Sequence, residues 1–404
     1  RLKKLKILFC NNDDFETFPA VLATCPALSM ASFKGNKITT VDVLSPTIRW
    51  LILTNNQIQK LPAAIGKLST LQKLMLAGNQ LQSLPDEMAA CQNLELIRLS
   101  ANRLQKLPEW LFTLPRLSWL AYAGNPCCDA DTLAIEVKSM RSLPTIKATE
   151  LKLDDILGEG ASGVIYKGLW TNASTVSTES KSVQPQDIAI KLFKGEITSD
   201  GSPLDEMRAC IAAGVHPNLV TVLGKLDPSF SNSADQNLGS TAGLVFSFIP
   251  PDYTNLGGPP SLTTYTRDTY NTDTVFTLPF ILQMTRGIAS AVAHLHANGI
   301  MHGDLYAHNI LANETGESCL GDFGAASFYN PANSAMGQAL ERLEVRAFGC
   351  LLEDLLDRCP QANEDNQANG IILARLRRMQ QDCMEPVTSI RPLFKIICET
   401  LANI

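Results

Sequence analysis

The first third of the chain repeats with a nearly constant period. The frame "LQKLMLAGNQL" from Leu71 returns as "LELIRLSANRL" from Leu94, "IRWLILTNNQI" from Ile48 and "LSMASFKGNKI" from Leu28. The asparagines of the frame follow one another at spacings of 20, 23, 23 and 23 residues, at Asn36, Asn56, Asn79, Asn102 and Asn125. A repeat of this length buries its apolar face only against its neighbours, so the pattern predicts a solenoid over residues 1–128.

These frames resemble the leucine-rich repeat family, with about six units if looser frames from Leu2 and Leu117 are counted. The resemblance implies that the apolar positions point inward from a short strand and that the asparagine amide satisfies backbone groups where the chain turns. "LP" pairs at Leu61, Leu84 and Leu107 are expected to open each convex segment, where proline needs no ladder donor. Because the chain starts inside a repeat, we expect residues upstream of it.

The concave face of the solenoid is predicted to be unusually apolar. Its strand positions are Trp50, Ile52, Met75, Leu96 and Trp119. One interpretation is a docking face for a protein substrate or regulator, because contiguous exposed apolar surface marks contact sites. The other is that the remainder of the chain covers these residues.

A different pattern begins at Leu151. The stretch "LKLDDILGEGASGVIYKG" places Gly158, Gly160 and Gly163 as G-x-G-x-x-G, followed directly by Val164. Such glycines suit the dinucleotide loop of a Rossmann unit, which opens a helix, or a hairpin that covers phosphates. The alternation in "VIYKGLW" favours a returning strand and hence the hairpin. Glycine lets the backbone N–H groups approach phosphate oxygens without a Cβ in the way.

Lys191 ends the apolar alternation "DIAIKLF" downstream of the hairpin. A lone lysine at this position is usually a solvated edge residue. Here a predicted helix follows, and its Glu206 would reach Lys191 as an ion pair that positions the ammonium for nucleotide phosphates. Asp205 is the competing candidate for that role.

The order of the motifs resembles the protein kinase family over residues 151–404. It runs from the glycine loop through "IAIK", the helix glutamate, "HPNLV", "HGDLYAHNIL" and "GDFG" to a late "RP". The predicted fold is therefore an α-β leucine-rich repeat solenoid plus an α+β two-lobe kinase-like domain. Its parts are the repeats at 1–128, a linker at 129–150, an N-terminal lobe at 151–249 and a C-terminal lobe at 250–404.

The resemblance implies an ATP- and Mg²⁺-dependent phosphotransferase, with Ser/Thr acceptors favoured. Asp304 takes the place of the catalytic aspartate, and Asn309 and Asp322 take the places of the metal ligands. Lys191 and Glu206, paired with each other, are the other two residues implied to be catalytic. His302 is expected to pack rather than to carry protons. Residues implied to bind the cofactor are Gly158, Gly160, Gly163, Val164, Ala189, Lys191, Phe246, Ser247, Ile249 and Leu311. The alternative is a nucleotide-binding pseudokinase scaffold.

Several positions depart from the kinase pattern. Gly303 stands where many kinases carry arginine, so we expect activity that does not depend on phosphorylation of the activation segment. That segment is short after Asp322, which puts docking of a protein substrate in doubt. Glu344 stands in the slot of an aspartate that supports the catalytic loop, and Glu341 is a candidate partner of Arg391. Tyr306 and His308 match neither acceptor class and leave the acceptor type open.

Composition excludes several other classes of function. The net charge of -6 does not suit a general nucleic-acid or anionic-membrane role, which needs a concentrated basic surface. No run approaches about eighteen consecutive apolar residues, so no membrane span is predicted. The 11 cysteines form no CxxC pair and favour reduced thiols in a cytoplasmic signalling protein.

Overall fold

The structure is a computed structural model. It describes residues 2–128, 143–160, 162–171, 185–195, 197–227, 242–332, 334–360 and 367–404. Most of the predicted linker, 129–142, lies outside the described residues.

The repeats form one parallel sheet of short strands. Its six strands lie in chain order. They are β1 Ile7–Phe9, β2 Met30–Ser32, β3 Trp50–Ile52, β4 Lys73–Met75, β5 Leu96–Arg98 and β6 Trp119–Ala121. Neighbouring strands pair in equivalent register, so that Trp50 lies beside Lys73, Lys73 beside Leu96 and Leu96 beside Trp119. Side chains from successive repeats therefore stack in rows along each face of the sheet.

The "LP" pairs open convex 3-10 helices, as predicted. Pro62, Pro85 and Pro108 cap the helices Ala63–Lys67, Asp86–Ala90 and Glu109–Thr113 in extended backbone geometry. Asparagines connect each repeat to the next, as with Asn102, whose Nδ2 donates to the carbonyls of Leu76 and Leu99 while its Oδ1 accepts from Leu81 N–H. The asparagine is buried because it satisfies backbone groups that the leucine core would otherwise leave unpaired.

The N-terminal lobe is a six-stranded sheet with one described helix. The strand order is β7-β11-β12-β10-β9-β8. The elements are β7 Thr145–Ile146, β8 Leu151–Gly160, β9 Gly163–Trp170, β10 Gln186–Phe193, α1 Pro203–Ala213, β11 Val222–Leu226 and β12 Gly243–Ser247. β7 belongs to the segment predicted as a linker and pairs in parallel with β11.

The C-terminal lobe is mainly helical, with short strands that hold its loops. The elements are β13 Thr254–Asn255, α2 Leu278–Ala297, β14 Ile300–Met301, β15 Ile310–Ala312, β16 Ser318–Leu320, β17 Ser327–Phe328, α3 Ser334–Leu356, α4 Gln367–Cys383 and α5 Phe394–Ala402. Thr277 caps α2 by accepting from Phe280 N–H, and Pro279 lies in its first turn. The buried stripe of α2 packs in the core that leads to the 302–311 loop. In the part of the chain that is described, no helix is long and apolar enough to cross a bilayer.

The concave face of the repeats packs against the C-terminal lobe. Met75, Leu96 and Trp119 are buried in one apolar core with residues of that lobe, and Trp50 and Ile52 pack at its border. The prediction of an open docking face for a separate protein is therefore wrong for this structure, and the rest of the chain covers the face. The physical reason is the apolar surface itself, which is more stable out of water.

Candidate active site

The glycine-rich stretch is the turn of a hairpin, not the start of a helix. β8 and β9 pair in antiparallel fashion up to Gly160 opposite Gly163. A Cβ on Gly163 would lie 2.3 Å from the carbonyl oxygen of Leu192, so this position requires glycine. A Cβ on Gly158 or Gly160 would have no described heavy atom within 4 Å, so the backbone there is open to a ligand. The hairpin is therefore free to cover phosphates.

A cavity of about 530 Å³ lies between the two lobes beside this hairpin. Its walls include most of the residues that sequence reasoning assigned to nucleotide and metal binding. These are Ala189, Lys191, Glu206, Phe246, Ser247, Ile249, Asn309, Leu311 and Asp322. Their convergence matters because they come from strands, a helix and loops that are far apart in the sequence.

Val164 does not line this cavity, and its assignment to the cofactor site is wrong. Its side chain is buried on the opposite face of β9, in the core with Tyr166 and Ile190. Ile165 lines the cavity instead. Successive side chains of a strand point to opposite faces, so an error of one position exchanges the core and the cavity. Leu157 also lines the cavity and could have been found from the same alternation.

Lys191 and Glu206 form an ion pair across the wall of the cavity. β10 carries Lys191 and α1 carries Glu206, and Ser202 caps α1 through its contact with Leu204 N–H. Burial by itself lowers the pKa of Lys191, but the charges of Glu206 and Asp322 outweigh it and raise the pKa. The ammonium is therefore protonated and held at the cavity. The competing candidate, Asp205, instead contacts Arg208 at 3.0 Å.

Glu344 holds the start of the 302–311 loop from within α3. Its fully buried carboxylate accepts from the N–H of His302 at 3.1 Å and from the N–H of Gly303 at 2.7 Å. His302 is also fully buried; its Nδ1 accepts from Asp304 N–H at 3.3 Å and its Nε2 donates to the carbonyl of Gly321 at 2.9 Å. Both ring nitrogens of His302 form hydrogen bonds with backbone groups, so this histidine positions the loop.

Asp304 and Asn309 are joined within one loop. Asn309 Nδ2 donates to the carbonyl oxygen of Asp304 at 2.9 Å and to its Oδ2 at 2.8 Å. The five-residue spacing thus lets one amide fix the aspartate, and both donor hydrogens are used there. The amide oxygen of Asn309 takes no part in these two hydrogen bonds. Asn309 lines the cavity together with Asp322.

Asn309 and Asp322 suit a hard divalent cation. Asp322 has φ 55°, a left-handed conformation that aspartate adopts more readily than most residues, and its Oδ1 accepts from Gly324 N–H at 3.2 Å. No group of three or more His, Cys, Asp or Glu in the described ranges could hold a metal alone. Mg²⁺ prefers one or two carboxylates together with phosphate oxygens and water, so this donor set fits Mg²⁺ with a nucleotide.

Comparison with known families agrees with this geometry. Residues 46–102 and 69–126 match leucine-rich repeat models, and residues 151–348 match the family of protein tyrosine and serine/threonine kinases. The chain joins leucine-rich repeats to a protein kinase domain. The two-part architecture predicted from the sequence is confirmed.

The curated relatives are kinases of modest identity. The "Probable serine/threonine-protein kinase gdt4" of Dictyostelium discoideum is 28% identical over 162 residues, 40% of this chain and 8% of that protein. The "Probable serine/threonine-protein kinase glkA" of the same organism is 22% identical over 255 residues, 58% of this chain and 46% of that protein. "Proline-rich receptor-like protein kinase PERK7" of Arabidopsis thaliana is 25% identical over 226 residues, 50% of this chain and 28% of that protein. The chain spans less than half the length of each.

His308 is a cavity residue of the kinase domain to which sequence reasoning assigned no role in binding. It lines the cavity next to Asn309, and its Nδ1 lies 2.6 Å from Asp268 Oδ1. Burial lowers the pKa of His308, but the hydrogen bond to Asp268 and the charge of Asp304 raise it above the usual value. The imidazole therefore keeps its proton to a higher pH than an ordinary histidine does.

The segment after Asp322 is short, as the sequence predicts. β17 pairs with β14, and α3 starts at Ser334. Arg391 does not contact Glu341, so that expectation is wrong. The guanidinium instead donates to the carbonyls of Pro115, Arg342 and Glu385, while Glu341 accepts from Phe394 N–H. A carbonyl of the repeats thus contacts Arg391 where the sequence suggested a carboxylate.

Arg98, which comes from the repeats, is a further residue at the site that sequence reasoning missed. It ends β5 of the repeats, is 2% exposed, and forms ion pairs with Asp304 and Asp200. Burial by itself raises the pKa of Asp304, but the charge of Arg98, followed by those of His308 and His302, lowers it. Asp304 is therefore a carboxylate with a guanidinium against it. No local pattern signals this contact, because 206 residues separate the partners.

Proposed function

We propose that this chain is an ATP- and Mg²⁺-dependent protein kinase that transfers the γ-phosphate of ATP to serine or threonine hydroxyls. The observation that carries the proposal is the convergence of Lys191, Asn309 and Asp322 on one cavity, with Asp304 held by Asn309 at its edge. The preference for serine and threonine rests on the names of the relatives.

The cavity provides a distinct environment for each part of the nucleotide. Ala189, Phe246 and Leu311 give apolar walls for the adenine, and the backbone at Ser247 and Ile249 would offer its hydrogen bonds. Lys191 would contact the α- and β-phosphates, and the hairpin glycines would cover them. Asn309 and Asp322 would hold Mg²⁺, which supplies charge neutralisation of the phosphates when bound.

Asp304 orients the acceptor hydroxyl and takes its proton. The acceptor oxygen forms a bond to the γ-phosphorus while the bond from that phosphorus to the bridging oxygen of ADP breaks. The proton of the hydroxyl passes to the carboxylate of Asp304, and ADP leaves. Positioning and charge stabilisation provide most of the catalysis in such transfers.

We also propose a cytoplasmic location. All 11 cysteines of the chain are free thiols in the structure. Reduced cysteines suit a reducing compartment. A protein partner of the repeats would bind surface that the kinase domain leaves uncovered, or the concave face once it has separated from that domain.

Transfer from γ-labelled ATP by wild type, Asp304→Asn and Lys191→Ala tests the proposal. Loss of labelling in both variants supports the enzyme. Equal labelling in all three would place the activity elsewhere. Absence of labelling with Mg²⁺-ATP binding retained, both in these chains and in a chain whose repeats no longer contact Asp304, would favour the pseudokinase scaffold, for which the short segment after Asp322 is the supporting observation.

A further inference from the structure

Arg98 of the repeats contacts three groups of the kinase domain, two on the catalytic loop and one before α1. Its Nε donates to Asp200 Oδ1 at 2.7 Å, its Nη1 to the carbonyl of Gly303 at 2.9 Å, and its Nη2 to Asp304 Oδ1. Asn309 already donates to the other carboxylate oxygen, Oδ2, at 2.8 Å. Both oxygens of the catalytic carboxylate therefore have a donor, and Oδ1 has a charged one.

The rest of the concave face closes around this contact. Trp119 Nε1 donates to the carbonyl of Leu305 at 3.1 Å, and its ring stacks on Tyr306. Tyr122 N–H donates to Ser327 Oγ at 3.0 Å, within the segment that follows Asp322. The repeats thus cover both the catalytic loop and the segment where a kinase would receive its acceptor.

The repeats also contact the approach to α1 in the N-terminal lobe. A Cβ placed on Gly201 would lie 3.1 Å from Ser100 Cβ, and one on Gly78 would lie 2.8 Å from Ile197 Cγ2. The turns of neighbouring repeats therefore lie directly on residues 197–201. Contact with both lobes at once makes the array a clamp across the acceptor side of the cleft.

The nucleotide side of the cleft stays accessible. The cavity of about 530 Å³ is lined by Lys191, Asn309 and Asp322, and no repeat residue lines it. Asp304 is not among its lining residues, and its side chain is 15% exposed. ATP can therefore reach its pocket, whereas Arg98 blocks the approach of an acceptor hydroxyl to Asp304.

We propose that the repeat array is the chain's own inhibitor, with Arg98 occupying the oxygen of Asp304 that must receive the acceptor proton. This inference rests on the proposed kinase function. In the closed arrangement the chain binds Mg²⁺-ATP but transfers phosphate only when the concave face separates from the catalytic loop. A closed form that is about a hundredfold more populated than the open form is enough to silence the enzyme. Loss of the charged contact between Arg98 and Asp304 shifts this equilibrium toward the open form and so raises the rate.

The first test removes the guanidinium from the full chain. Wild type, Arg98→Gln and the control Arg103→Gln, which alters an exposed arginine of the same repeat array, receive γ-labelled ATP and a pool of serine- and threonine-containing peptides. We expect transfer to rise about tenfold or more in Arg98→Gln and to stay at the wild-type rate in Arg103→Gln. Affinity for Mg²⁺-ATP, measured by calorimetry, should be equal in all three.

The second test locks the clamp without touching Arg98. A Ser100→Cys/Gly201→Cys chain places two Cβ atoms about as close as a disulfide needs, with a small adjustment from 3.1 Å. We expect the reduced chain to transfer at the wild-type rate and the oxidised chain about tenfold more slowly or less, with Mg²⁺-ATP binding retained. Ser100→Cys alone, treated with the same oxidant, controls for the other thiols.

The outcomes separate the inference from the function on which it rests. Wild type, Arg98→Gln and the oxidised double variant transferring at one common rate would overturn the inhibitor and leave the kinase standing. A slower Arg98→Gln chain that still folds and binds ATP would also overturn it, since Arg98 would then assist transfer. Transfer by none of the chains, with tight Mg²⁺-ATP binding in all, would end both the inhibitor and the kinase.

Discussion

Trp119 of the repeats and Tyr306 of the catalytic loop stack face to face, with ring centroids 4.3 Å apart and an interplanar angle of 7°. Trp119 is 1% exposed, and its Nε1 donates to the carbonyl of Leu305 at 3.1 Å. The loop that carries Asp304 is therefore supported from one side by α3 and from the other by the repeats. Residues of the array and of the kinase domain therefore share one apolar core.

Truncation of Trp119 should destabilise both parts together. We expect Trp119→Ala to lower the free energy of unfolding by about 3–5 kcal/mol, because a buried aromatic residue leaves a cavity. Trp119→Phe keeps an aromatic stack but loses the hydrogen bond and part of the buried ring volume, so its cost should be smaller, at about 1–3 kcal/mol. Chemical denaturation followed by circular dichroism measures both. A cost below about 0.5 kcal/mol for Trp119→Ala would mean that this contact contributes little.

Loss of a repeat asparagine should be costly although the side chain is small and polar. Asn102→Ala leaves the N–H of Leu81 without its partner and removes one of the two asparagine donors from each of the carbonyls of Leu76 and Leu99. We expect a loss of about 1–3 kcal/mol in the free energy of unfolding, since the buried N–H of Leu81 carries its full desolvation penalty. The exposed neighbour Gln105→Ala is the control and should stay within about 0.5 kcal/mol. Similar unfolding midpoints for the two variants would contradict the proposed role of the asparagines.

Glu344 should make stability depend on pH. Burial by itself raises the pKa of its carboxyl, but the contact with His296 at 2.9 Å, the charge of His302 and the N–H of Gly303 lower it below the usual value. A carboxyl with a lowered pKa in the folded state stabilises the fold above its unfolded pKa of about 4.3, and this stabilisation is lost as the pH falls through the folded pKa.

Glu344→Gln tests this dependence. Its amide can accept one N–H of the loop but faces the other with a donor, so we expect a cost of about 1–3 kcal/mol at pH near 7. The difference from wild type should shrink below about pH 4.3, where the carboxyl of the unfolded wild-type chain begins to protonate, and should disappear as the pH falls through the lower folded pKa. Thermal unfolding at both pH values measures it, with the exposed Glu399→Gln as control. A difference that is constant or grows in acid would rule out the charged form of Glu344 as the source.

The Lys191–Glu206 pair should be needed for transfer and not for folding alone. Glu206→Gln removes the charge that holds the ammonium at the cavity, so transfer should fall at least about tenfold, or about 1.4 kcal/mol of transition-state stabilisation. Asp205→Asn changes the adjacent carboxylate on the same helix and should leave the rate within about twofold. Steady-state kinetics with γ-labelled ATP compares them. If Asp205→Asn were the more damaging change, Asp205 rather than Glu206 would be the carboxylate of α1 that transfer requires.

Local patterns predicted most of the elements and the cavity. The 23-residue spacing of the asparagines predicted the stacked strands, because each unit must bury its leucines on the next. The order of glycine loop, lysine and helix glutamate predicted residues that now line one cavity, because the motifs of a phosphate site follow from its chemistry. Val164 was misassigned by one position, which in a strand reverses the face.

Contacts between the two parts were beyond local reasoning. Arg98 has the same strand position as Met75 and Ala121 in the neighbouring repeats, and nothing near it in the sequence marks it as a catalytic-loop contact. Its partner lies 206 residues away. The choice between an open and a covered concave face was likewise undecided, since apolar surface alone does not say what covers it.

We propose that Lys191, Asp304, Asn309 and Asp322 act together on one metal-bound triphosphate. Transfer of the labelled γ-phosphate to peptide by the Arg98→Gln chain, with and without Asp304→Asn, tests it most directly. We predict Mg²⁺-dependent labelling by Arg98→Gln and a loss of about a hundredfold or more when Asp304 is also changed. Labelling that persists at the same rate without Asp304 would contradict the account.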